Sequence, residues 1–211
     1  MKKNSLFTVG GLICCFFILM AGCASSELVD IWRNSSFQSS SLNKILIISA
    51  SKNPVQRRTW EDAFTIELEK HKVAATPSYR LFPDDAPDTN QVIQIVQSNG
   101  FDGILVYHRL PPEMNSQSVK GYVMTERGLI YWRRMEGFAL YYRDVWNAGH
   151  MDSQKVDIRA IDVWATKNEG QMIWSATSKT PEPNSIQEVR PEIVRLVMSE
   201  LTKQRIIASE R

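Results

Sequence analysis

The run KILIISA, residues 44–50, is apolar on both parities of an extended chain. Side chains alternate between the two faces of a strand, so a run without polar alternation has to be covered on both sides. FDGILVYHR, residues 101–109, repeats the pattern. Two strands of this kind require a sheet with helices packed against it, and the intervening chain supplies them. After the turn SKNP, residues 55–71 place Trp60, Ala63, Phe64 and Leu68 on one helical face, with Arg57, Arg58, Glu61, Asp62 and Glu69 mostly elsewhere. VAATPSY (73–79) reads as a short strand. Residues 90–98 form a second short helix, with Val92, Ile93, Ile95 and Val96, closed by Asn99-Gly100.

The later chain changes character. In KVDIRAIDVWA, Val156, Ile158, Ala160, Asp162 and Trp164 are set against Asp157, Arg159, Ile161 and Val163. With the turn TKNEGQ and the returning MIWSATSKT this predicts a hairpin with Gly170 at its tip. Ile186, Val189, Ile193, Val197 and Leu201 recur at helical spacing, and Pro191 predicts a lead-in turn with the main helix from about 191. The expected fold class is therefore α/β (α+β-like). It is a single mixed β-sheet with helices packed against it, in the order β-α-β-α-β, then one or more hairpins and a C-terminal helix.

The N-terminus is organised differently. Lys2 and Lys3 precede an apolar stretch from Leu6 to Met20, the length of a signal-peptide core and short for a membrane span. Met20-Ala21-Gly22-Cys23 resembles the bacterial lipobox, with methionine where leucine is usual. That resemblance implies a signal peptide over 1–22, cleavage before Cys23, and lipidation of Cys23 by a diacylglycerol thioether and an amide-linked acyl chain such as palmitate. Several acyl chains on one residue anchor stably where one does so marginally. Ala24 rather than aspartate after the cysteine points, by analogy, to an outer-membrane location facing the periplasm. The serine-rich residues 23–43 read as the lipidated N-terminus and a flexible tether. A single α/β domain follows at 44–208.

Charge and cysteine content narrow the partners. The chain carries 25 basic and 23 acidic residues, and loss of Lys2 and Lys3 with the signal leaves 23 of each. With no basic excess, nucleic acid is not an expected partner. Cys14 and Cys15 also lie in the signal, so the remaining chain has Cys23 alone and no internal disulfide. The domain has to stand on its core.

The insert at about 111–152 holds seven aromatic side chains, including Tyr131, Trp132, Tyr141, Tyr142 and Trp146, alongside Arg133 and Arg134. A connection this long inside a compact domain needs a reason. Alternation around 129–146 suggests strands turning near Met135-Glu136-Gly137. Aromatics with arginine are the residue types of protein-binding hot spots. The two readings are an extra hairpin packed on the sheet, or a partner-binding surface made by Tyr131, Trp132, Arg133, Arg134, Tyr141, Tyr142 and Trp146.

The KILIIS strand, the RRTWEDAFTIELEKHKV helix, ATPSY, NGFDGILV and IDVWATKNEGQMIWSATSKT together resemble a set of small bacterial envelope lipoproteins. Their α/β layout is similar to the penicillin-binding-protein activator and curli-secretion lipoproteins. The resemblance implies fold and location rather than an activity.

Motifs for chemistry are sparse. His71, His108 and His150 have no metal-ligand spacing, and there is no G-x-S-x-G, P-loop or G-x-G-x-x-G. Three minor candidates remain: ISASKNP as an anion site at a helix start, Asp84, Asp85 and Asp88 as a weak calcium loop, and His108 at a strand end. His71 reads as a solvated partner of a helix end, and the adjacent Glu61 and Asp62 point different ways. No cofactor and no metal is expected. The leading expectation is a membrane-anchored periplasmic lipoprotein, non-catalytic, that binds an envelope protein partner in assembly or maintenance, homo-oligomers being a variant. The alternative is a cell-wall-directed enzyme or ligand-binding lipoprotein. Its site would lie near the ends of strands 44–50 and 101–109, in a polar pocket joining His108, Arg109 and a carboxylate.

Overall fold

The computed structural model describes residues 26–37, 41–110, 138, 141–143, 145, 156–167, 170–181 and 186–209. Six strands form one mixed sheet: β1 (Glu27–Arg33), β2 (Lys44–Ser49), β3 (Ala74–Pro77), β4 (Gly103–Arg109), β5 (Val156–Ala165) and β6 (Gln171–Pro181). Their spatial order is β1-β6-β5-β4-β2-β3. β2 runs parallel to both β3 and β4, and the remaining pairs are antiparallel. Helices α1 (Pro54–Lys70), α2 (Thr89–Asn99) and α3 (Ile186–Lys203) complete the described elements, with a short 3-10 turn at Ser78–Arg80. This is the mixed-sheet α/β class that the sequence predicts.

Parity in the two central strands organises the core. Ile45, Ile47, Leu105 and Tyr107 share one face with Trp60, Phe64 and Leu68 of α1 and with Ile193, Val197 and Leu201 of α3. Leu46, Ile48, Ile104 and Val106 turn to the other face, against Val92 and Val96 of α2 and Phe138, Tyr142 and Val145. From Ile45 to Ile48 and from Ile104 to Val106 every residue is fully buried. Burying one such side chain contributes about 1.5–3 kcal/mol, which makes the two-sided cover the main favourable term.

Local chemistry sets the boundaries. The Asn53 side chain accepts from the backbone N–H groups of Val55 and Gln56, and Pro54 occupies the first turn of α1. Asp88 and Gln91 form a capping box at α2, and Gly100 ends that helix at φ 65°. The motif Gly100-Phe101-Asp102-Gly103 has a physical reading throughout. Asp102 accepts from the backbone N–H groups of Asn43 and Lys44, locking the start of β2 to the start of β4. A Cβ at Gly103 would lie 2.6 Å from Leu42 Cδ1. In the hairpin, Val163 pairs with Trp174 but Trp164 with Met172, so Ile173 is an extra residue that bends β6.

Three expectations are corrected. Residues 27–33 are not tether: β1 pairs antiparallel with β6, Glu27 opposite Lys179 and Arg33 opposite Trp174, and closes that sheet edge. The ladder, together with Leu28 and Trp32 packing on opposite faces, outweighs the polar look of the segment. α3 runs through Pro191 from Ile186, and both Pro191 and Gln187 are exposed, so water can satisfy the carbonyl that proline leaves without a donor. His71 is buried rather than solvated, its Nδ1 3.1 Å from the carbonyl of Ala208, where it fixes the segment after α3.

Ile47 and Leu105 are direct cross-strand partners. Either residue changed to alanine should cost about 2–5 kcal/mol in denaturant unfolding, and the double variant should depart from additivity because the two share one cavity. A chain beginning at residue 34 should lose the β1–β6 ladder. It should unfold at lower denaturant and self-associate in sedimentation through the newly opened β6 edge.

Candidate functional site

The polar groups of the interior concentrate in two places. The first joins α1 to the end of β2. Glu61 is fully buried; its carboxylate accepts from the backbone N–H of Ser49 and of Tyr79, from the Ser78 hydroxyl, and from Arg57 Nε at 3.3 Å. Burial raises the Glu61 pKa, and these donors oppose the rise. Asp62, its neighbour, turns outward to accept from the Tyr79 hydroxyl at 2.6 Å. The two carboxylates thus point apart, and Glu61 serves as a staple between strand, helix and turn.

The second place is the carboxyl end of β4, where consecutive residues carry charge to opposite faces. On the α2 face, His108 Nε2 stands 3.3 Å from Asp162 Oδ2, and the Tyr141 hydroxyl donates to the same oxygen. The carboxylate selects the Nε2–H tautomer of His108. His108 Nδ1 and Asp162 Oδ1 are buried with no hydrogen-bond partner among the described residues. Burial, and then the Asp162 charge, push the Tyr141 hydroxyl well up, so it stays protonated and donates.

On the α1–α3 face, Arg109 and Arg159 are cross-strand partners, and Asp157 bridges them: Arg109 Nε lies 3.3 Å from Oδ1, and Arg159 Nε donates to Oδ2. Tyr107 lies two residues further into the sheet, its ring tilted against that of Trp60 with centroids 4.1 Å apart. The Arg159 guanidinium sits 5.1 Å from the Trp60 ring and 5.4 Å from the Tyr107 ring.

The predicted site residues fare unequally. Cys23, Tyr131, Trp132, Arg133, Arg134 and Trp146 lie outside the described residues. Residues 138, 141–143 and 145 are helical, which corrects the extended reading: Phe138, Tyr142 and Val145 recur at helical spacing and pack on the sheet. Tyr142 is 1% exposed, and Tyr141 packs beside Trp164 with ring centroids 5.0 Å apart. Tyr142 is therefore a core side chain rather than an exposed anchor, and Tyr141 is a partly buried one packed against the same cluster. His108 and Arg109 each have a carboxylate neighbour, yet the sheet divides them, so the single polar pocket of the alternative reading does not form. The minor candidates are occupied by capping: Asn53 takes the first N–H groups of α1, and Asp88 accepts from Gln91 N at 2.9 Å. Among the described residues no group of three or more His, Cys, Asp or Glu side chains is placed to hold a metal ion. Asp157, Arg159 and Asp162 were missed as site residues. Their signal was present as charges on both parities of an otherwise apolar strand.

No family model matches this chain, and no curated protein matches it. Among solved structures it is similar to PelC from Paraburkholderia phytofirmans in two crystal forms, both described as dodecamers. One, a point variant in space group C2, has 10% identity and a TM-score of 0.42, with 83% of this chain and 96% of that chain covered. The other, in space group P6, has 12% identity and a TM-score of 0.43, with 87% and 99% covered. At these values the likeness carries nothing about what this chain binds or assembles with.

Tyr141→Phe removes a donor from a buried carboxylate and should cost about 1.5–3 kcal/mol in denaturant unfolding. A midpoint equal to that of the parent chain would return Tyr141 to the surface.

Proposed function

We propose that this protein is a lipid-anchored lipoprotein of the bacterial envelope, sited at the outer membrane and facing the periplasm, whose domain acts by binding an envelope protein rather than by catalysis. The observation that carries the non-catalytic reading is the division of the titratable groups by the sheet. His108 with Asp162 and Arg109 with Asp157 face opposite sides, and the second nitrogen of His108 is sealed from solvent. A general base has to reach the proton it takes, and among the described residues the one hydrogen-bonding partner of this imidazole is its own carboxylate.

The Met20-Ala21-Gly22-Cys23 sequence supports the anchor, and the order of motifs that resembles envelope lipoproteins supports the setting. β1 adds a mechanical consequence. Ordered pairing starts at Glu27, and four residues of chain span at most about 14 Å. A lipid on Cys23 would hold the β1–β6 edge beside the bilayer instead of on a long tether. In this reading the partner surface is carried by Tyr131, Trp132, Arg133, Arg134 and Trp146, while Phe138, Tyr142 and Val145 seat their segment on the sheet.

Cys23→Ser should abolish incorporation of a labelled fatty acid and leave the signal uncleaved; label that persists would refute the anchor. A photo-crosslinker placed at Trp132 or Trp146 in cells should capture one discrete species, identifiable by mass. Adducts at multiples of the chain's own mass would show that the partner is a second copy. Absence of any adduct at both positions would refute the binding surface.

A further inference from the structure

The α1–α3 face at the end of β4 holds more hydrogen-bonding capacity than its own residues use. Arg109, Arg159 and Ser178 form one cross-strand row over β4, β5 and β6. Like charges directly opposite one another are unfavourable. Asp157 answers the first two, in the next row with Thr180, whose hydroxyl is paired to that of Ser26 at 2.8 Å. A third guanidinium, Arg190 of α3, comes over the same Trp60 ring at 5.5 Å. No ion pair joins it to a carboxylate among the described residues. Glu192, the nearby acid of α3, accepts from the backbone N–H of Ser26 at 2.9 Å.

Three donors in this patch lack an acceptor among the described residues. Among those residues, the fully buried Ser178 Oγ makes no hydrogen bond; the Tyr107 hydroxyl, 1% exposed, faces the Arg159 donor and finds no acceptor for its own proton; and Arg190 Nε is buried without an acceptor. Orphaned donors in a native interior mark an absent acceptor. All three types donate to oxygen, two guanidinium groups stand among them, and Trp60 with Tyr107 walls the site. The patch meets solvent at Arg109, whose side chain is one-third exposed, and at the half-buried Arg190.

We infer that this patch, formed by Arg159, Ser178, Tyr107 and Arg190 beside Arg109, binds the oxyanion group, phosphate or carboxylate, of a small soluble molecule. A planar guanidinium fork suits both, and buried hydroxyls complete the coordination that water would otherwise give. Burial lowers the Arg190 pKa, and the Arg159 charge adds to this, so an anion between them would relieve both. None of the residues named here belongs to the lipid anchor or to the aromatic insert.

The test uses the full chain purified in detergent, titrated with sodium phosphate or sodium acetate against sodium chloride at equal ionic strength. The thermal midpoint should rise with one of the two oxyanions and not with chloride, because a ligand of the folded state stabilises it by mass action. A rise with phosphate alone assigns a phosphate-bearing ligand, and a rise with acetate alone a carboxylate. Arg190→Gln, at a half-buried position, and Ser178→Ala should each weaken the apparent affinity at least tenfold. Arg190→Lys, which keeps the charge and loses the fork, should give an intermediate loss and serves where either variant does not fold. No rise with either oxyanion, or a rise unchanged in Arg190→Gln or Arg190→Lys, overturns the inference.

Discussion

Burial of β2 and β4 on both faces is the constraint from which the rest of the structure follows. Ile45 through Ile48 and Ile104 through Val106 leave no surface of these strands for water. Each face then needs its own layer, and the chain alternates its cover: α1 and α3 on one side, α2 and the segment of Phe138, Tyr142 and Val145 on the other. Parallel pairing of β2 with β3 and β4 is a result of those crossovers, since a parallel neighbour cannot be reached by a hairpin. The hairpin β5–β6 and the edge strand β1 extend the sheet antiparallel, where no crossover is required.

The same burial decides where charge can sit. In the middle of the sheet a charged side chain would be stripped of water without compensation. The buried charges are therefore provided with partners, at the strand ends, at one helix–strand junction and at Asp162 within β5: four donors around Glu61, two around one oxygen of Asp162, two guanidinium groups on Asp157. Removing one member of such a buried set costs more than the set contributes over an apolar filling, because the remaining charge is left unpaired. That asymmetry makes these groups structural before they are anything else. The patch around Arg190 and Ser178 differs, in that among the described residues Ser178 Oγ and Arg190 Nε are buried without a hydrogen-bond partner.

How far the sequence was legible varies by element. The covered strands, the α1 face of Trp60, Phe64 and Leu68, the stop at Asn99-Gly100 and the two parities of KVDIRAIDVWA could all be read directly, because periodicity and capping are local. The Asp102 clamp was visible only as a motif; its purpose needs Asn43 and Lys44 from the neighbouring strand. β1 was illegible as a strand because its pairing partner lies more than 140 residues away in β6. Phe138, Tyr141 and Tyr142 carried a helical spacing that adjacent aromatics made look like alternation.

The sequence by itself determined the two-sided sheet, the order of its described elements from β2 onward and the division of His108 from Arg109, since consecutive residues of a strand always face opposite ways. Tertiary structure alone decided which carboxylate each would meet. It also turned a polar N-terminal segment into an edge strand, and brought Arg190 from the last helix over Trp60 of the first. Those outcomes depend on contacts between residues far apart in the chain, whose free energy is set by burial and pairing in three dimensions and leaves no periodic trace in the residues themselves.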